Sequence, residues 1–178
     1  MFKHVKSLFS TPHHSHHEQT TGNINLAGMI VSDNNKIAYR YDSRSPDIIK
    51  ACGFSGTLGR DDAEVRVFGN NNIFASRTKQ GAKEFLNHNK FDGQSKIQFL
   101  YEINTHGLKS FSFVDNFKTN PVALVECIAN LVPSIPKDQA RLYAREALTG
   151  QFNLVDELHI NGPIPPSRIK HVTTVRIK

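Results

Sequence analysis

Residues 36–54 read KIAYRYDSRSPDIIKACGF, and the alternation inside this stretch decides the kind of fold to expect. Successive side chains of an extended strand point to opposite faces. Ile37, Tyr39 and Tyr41 therefore share one face, and Ala38, Arg40 and Asp42 share the other. The strand then breaks abruptly. Ser45 has the character of a helix N-cap, Pro46 of a first helical residue and Gly53 of a C-terminal stop. The spacing predicts a strand, a tight turn and a short helix.

Working outward, residues 55–72 are irregular and rich in Gly and Asp, and NIFASRTKQGAKEFLNHN reads as a short strand feeding a helix from about Thr78. SKIQFLYEI and KSFSFV are strands rich in β-branched and aromatic residues. Two helices follow: PVALVECIANLV, started by Asn120 and Pro121, and PKDQARLYAREALT, ended by Gly150. GQFNLV reads as a loop. The tail holds a strand DELHI, a Gly-Pro-Ile-Pro-Pro turn and a last strand KHVTTVRI. Strands and helices mix without strict β-α-β alternation, which indicates an α+β domain.

The 178 residues fit one domain able to bury a real core. Hydrophobic content of 38 % is slightly low, because residues 1–25 are polar and without period, as expected of a disordered leader. This leader has a basic start but no apolar h-region, so a Sec signal peptide is not expected. No run approaches the ~18 apolar residues that a membrane helix needs. The HHSHH tract from His13 to His17 reads as a flexible polar segment, with a metal site as the alternative. Cys52 and Cys127 cannot build a disulfide framework, and a reduced compartment with both thiols buried is the expectation. The net charge of +6 is scattered and singles out no partner.

No G-x-G-x-x-G, P-loop or H-E-x-x-H occurs in the chain. An arginine on a strand before a helix N-terminus can hold phosphate through its bidentate fork, although a lone strand arginine is more often a surface or salt-bridged residue. Taken singly, Ser76 is a serine at a helix start and Glu157 a solvated strand residue.

Three segments change these weights together. YRYDSRSPD at residues 39–47, IFASRT at residues 73–78 and DELHINGPIPPSRIKHVTTVRI at residues 156–177 resemble the mono-ADP-ribosyltransferase toxins. The similarity is to the branch with the catalytic subunits of cholera toxin, heat-labile enterotoxin and pertussis toxin. Tyr39, Arg40, Asp42, Ser43 and Arg44 match the opening motif of that branch, and Ser45 stands where it has Pro. Glu157 lies seven residues before Ile164 of the Ile-Pro turn, as the branch's catalytic Glu does. FLYEI, Phe99 to Ile103, resembles its central strand.

The resemblance implies an ADP-ribosyltransferase-like α+β fold over residues 26–178, with two small packed β-sheets flanked by helices around an NAD cleft. It implies an NAD-dependent protein mono-ADP-ribosyltransferase, a glycosyltransferase acting on pentosyl groups, with NAD as substrate. Glu157, Arg40 and Ser76 would be catalytic. Arg40, Tyr41, Arg44, Phe74 and Ser76 would bind NAD. Phe152 and Val155 would meet the acceptor, with Phe152 as a core anchor the competing reading. Only Ser76 of the middle Ser-Thr-Ser motif carries over, since Arg77 and Thr78 replace the rest. Val155 stands where arginine-modifying members have a second Glu, which favours Thr, Ser, Cys or Asn as acceptor over Arg. The family's active-site His has no counterpart between Gly53 and Ser76.

The implied protein is a secreted bacterial effector or virulence toxin. It leaves by a non-Sec, type III-like route and acts as a monomer on a host cytosolic protein such as ubiquitin or a GTP-binding protein. Membranes and nucleic acid are not expected partners. The alternatives are an NAD glycohydrolase or interbacterial toxin on the same fold, a noncatalytic binding module, and a nucleic-acid ADP-ribosyltransferase.

Overall fold

The computed structural model describes residues 29–55, 72–88, 96–130 and 134–177. The leader, with His13 to His17, lies outside the described residues. Along the chain run β1 (Val31–Ser32), β2 (Ile37–Asp42), α1 (Pro46–Cys52), β3 (Asn72–Ser76), α2 (Lys79–His88), β4 (Ile97–Asn104) and β5 (Ser110–Ser112). Then come α3 (Phe113–Thr119), α4 (Pro121–Ala129), α5 (Lys137–Thr149), α6 (Gln151–Val155), β6 (Glu157–Asn161), a 3-10 turn (Pro166–Arg168) and β7 (Ile169–Arg176). The fold is mixed α+β, and no helix among the described residues is long and apolar enough to cross a membrane.

The seven strands among the described residues join in one sheet in the order β1-β5-β6-β3-β2-β4-β7, with each of these pairings antiparallel. Two separate sheets were expected. The observed sheet has instead two well-paired halves that meet at a single register pair, Tyr39 with Ser76. A physical cause lies one residue along β2. Arg40 Nη1 donates at 2.7 Å to the carbonyl of Phe74, so a side chain satisfies a carbonyl that a longer β2–β3 ladder would use.

Alternation in β2 sorts its faces as expected. Ala38 and Asp42 are buried, and Ala38 packs with Ile73, Tyr101, Ile103, Leu158 and Ile160 of the neighbouring strands and with Ile49 of α1. A second core joins Phe111 and Phe113 to Leu124, Val125, Ile128, Ala144 and Leu148 of the helices. One apolar core thus backs the sheet, and the other seats the helices near the start of β6.

Several local expectations are corrected. KSFSFV is strand only to Ser112, whose hydroxyl accepts the Asp115 N–H and caps α3. GQFNLV is not a loop but α6 after Gly150. Ser45 occupies the N-cap of α1 without a side-chain cap bond, while Gly53 closes the helix at φ 67°. A Cβ there would lie 2.2 Å from the Ile164 carbonyl, so the position requires glycine. Cys52 is exposed rather than buried, because it ends a short helix whose one buried residue is Ile49.

Candidate active site

A cleft opens on the β2 face that carries Tyr39 and Tyr41. It is lined by these tyrosines, Arg40, Phe74, Ala75 and Ser76, by Ala82 and Phe85 of α2, and by Val155 and Glu157. Its empty space, counted out to the open mouth, is about 310 Å³.

Register builds its floor. Tyr39 pairs with Ser76, and Ser76 pairs with Glu157, so the three stand in one row across β2, β3 and β6. The strand β6 begins at Glu157 itself. Ser76 is buried, and its hydroxyl lies 2.6 Å from the Val155 carbonyl and 2.8 Å from that of Thr78. It also accepts the Thr78 N–H at 3.1 Å. Thr78 in turn caps α2 by accepting the Gly81 N–H at 2.9 Å. The end of β3, the start of α2 and the turn into β6 are thereby tied at one hydroxyl.

Asp156 closes α6 in a left-handed conformation, φ 50° and ψ 56°. Its carboxylate accepts from Nε and Nη2 of Arg77 at 2.9 and 2.6 Å, and Arg77 Nη1 reaches Asp115 at 2.7 Å. The Arg77 N–H also donates to the Asp156 carbonyl. The residue that departs from the resembled middle motif therefore secures the turn before Glu157. The Asp156 carboxylate is thus taken up by Arg77.

Arg40 lines the cleft, but its guanidinium is engaged: Nε reaches Asp42 at 3.1 Å, and Cζ lies 5.5 Å from the Phe54 ring centre. Arg44 is not among the lining residues. Its Nε and Nη2 make a two-point contact with Asp42 at 2.8 and 2.9 Å, and it too lies over Phe54. Burial works to raise the Asp42 carboxyl, yet the Arg44 side chain, the charge of Arg40 and the Arg44 backbone N–H outweigh it and hold the pKa at about 2. The opening motif is thus an Arg–Asp–Arg clamp on the exit of β2. Tyr41, whose phenol burial pushes upward in pKa, faces the cleft.

Val155 is 2 % exposed, with its carbonyl held by Ser76, and lines the cleft. Phe152 lies away from the lining residues, stacked on Phe113 at 4.6 Å and packed against the helical core. The core-anchor reading describes its position. Phe74 lines the cleft and packs edge-on against His159 at 4.6 Å.

His159 is the residue the motifs did not single out. It follows Glu157 by two positions on β6 and shares its face. Its Nε2 lies 2.8 Å from Glu157 Oε1. The signal was present in the ELH spacing, but a histidine in a strand gains meaning only once its neighbour's role is suspected. Gly81 was also missed. A Cβ there would stand 2.1 Å from the Val155 carbonyl and 2.3 Å from Ser76 Oγ, so α2 approaches the site as closely as a glycine permits.

No family model and no curated protein matches the chain.

Proposed function

We propose that the protein is an NAD-dependent mono-ADP-ribosyltransferase, an exported bacterial effector acting on a host protein. The observation that carries this reading is the row Tyr39–Ser76–Glu157 across three strands, with Arg40 beside it and one cleft in front. The three motifs that resemble the toxin family lie far apart in sequence, and the cleft gathers residues from each: Tyr39, Arg40 and Tyr41 from the first, Phe74, Ala75 and Ser76 from the second and Glu157 from the third.

In the proposed reaction the bond between ribose C1′ and the nicotinamide nitrogen breaks. Its electron pair neutralises the pyridinium, and the ribosyl group acquires oxocarbenium character. Glu157, buried at the start of β6, stabilises that charge through its carboxyl group and accepts a hydrogen bond from the ribose 2′-hydroxyl. An acceptor nucleophile then bonds to C1′ and loses its proton. Tyr39, Tyr41, Phe74 and Phe85 offer aromatic walls for the nicotinamide end. Arg40 acts through the strands, joining β2 to the Phe74 carbonyl.

One observation favours a second reading, NAD hydrolysis. Val155 is buried and the Asp156 carboxylate is held by Arg77, and Glu157 is the only carboxylate among the described cleft-lining residues. A guanidinium acceptor needs activation, whereas water or a thiolate needs less help. Incubation of the chain with labelled NAD and host lysate separates the two. Transfer of label to a lysate protein, absent in Glu157→Ala, is expected. Nicotinamide release at the same rate with and without lysate supports hydrolysis, and labelling that survives in Glu157→Ala refutes the catalytic assignment.

A further inference from the structure

We propose that His159 is a positioning residue for the Glu157 carboxylate, an inference that rests on the transferase reading and extends it. The imidazole is 2 % exposed. Phe74, Phe113 and Phe111 meet it edge-on, with ring centres at 4.6, 4.7 and 6.3 Å and interplanar angles of 87°, 89° and 89°. A phenyl ring would satisfy such a cage at least as well, and burying a polar ring is costly unless its nitrogens find partners. Nε2 lies 2.8 Å from Glu157 Oε1, within ion-pair distance. This contact draws one carboxylate oxygen toward the ring and leaves Oε2 for a ribose hydroxyl.

The cage extends beyond the sheet. Phe113 stacks on Phe152 and belongs to the helical core with Leu124 and Leu148. The path therefore runs from helical packing to the imidazole and from the imidazole to the carboxylate. Buried at this depth, His159 has no path to an acceptor; it acts through Glu157.

His159→Phe keeps an aromatic ring in the cage and removes both nitrogens, while His159→Gln supplies an N–H donor. In the full chain, His159→Phe is expected to lower kcat for nicotinamide release by about tenfold to a hundredfold, the scale of a slightly misplaced group, with KM for NAD within about twofold. His159→Gln should recover most of the loss. In ¹⁵N spectra, the His159 Nε2 resonance should move in Glu157→Gln. His159→Phe turning over at the wild-type kcat, or a ring resonance unmoved in Glu157→Gln, overturns the positioning role alone. A folded wild-type chain that cleaves no NAD overturns the transferase reading and this role with it.

Discussion

Ser76 and Glu157 face each other directly across β3 and β6, yet the serine hydroxyl is aimed at the backbone before the glutamate, 2.6 Å from the Val155 carbonyl. A hydroxyl has one proton and donates to one acceptor at a time, and here both acceptors are carbonyls of turns that bound the cleft. Ser76 thus fixes the backbone just before Glu157.

Ser76→Ala should therefore weaken fold and site together. Loss of the hydroxyl leaves a buried carbonyl short of a partner, costing about 1–3 kcal/mol. Urea unfolding should report that loss, and nicotinamide release should fall with kcat more than with KM. Unchanged stability would remove the hydroxyl from its structural role.

Gly81→Ala tests the same junction with an inverted sign. In an ordinary helix interior the change gains up to about 1 kcal/mol. Here the new methyl would lie 2.1 Å from the Val155 carbonyl, and overpacking of that kind costs about 1–3 kcal/mol. Denaturant melts should show net destabilisation, and NAD cleavage should drop because the Val155 carbonyl is displaced.

Acid sensitivity should trace in part to Asp42. Its pKa is lowered from 3.8 to about 2 on folding, so the stabilisation is fully present above pH 4 and disappears as pH falls through 2. The difference corresponds to roughly 2.5 kcal/mol. Unfolding free energies between pH 5 and 2 should fall less steeply for Asp42→Asn than for the wild type, with the mutant already weaker at pH 5.

Arg77→Met should release the Asp156 turn. Hydrogen bonds to charged groups contribute about 1.5–3 kcal/mol, and Arg77 makes such bonds to two carboxylates. Partial exposure of the trio reduces the expected loss to about 1–2 kcal/mol. At Asp156, where φ is 50°, Asn should be tolerated far better than Val, since β-branched residues rarely adopt that conformation. Thermal melts of the two variants give the comparison.

Much of this arrangement was legible from local pattern. The alternation of Ala38, Arg40 and Asp42 against Ile37, Tyr39 and Tyr41 placed the faces of β2, and Pro46 and Gly53 bounded α1. Pattern failed where a local signal was short or ambiguous. The cap Ser112–Asp115 turned an aromatic run from strand to helix within one residue, and α6 carries too few residues to show a helical period. Arg44 illustrates a different limit. Its motif position suggested an anion ligand, but Asp42 lies two residues away and holds the Nε–Nη2 edge of the guanidinium.

By itself the sequence determined most of the longer strands and helices and which polar residues stand near their ends, because those are properties of neighbours within a few positions. Tertiary structure alone decided the row Tyr39–Ser76–Glu157, the service of Arg77 to Asp156, and the aromatic cage that holds His159 against Glu157. Those relations depend on strand register and core packing between distant segments, and a shift of one residue would turn each side chain to the opposite face.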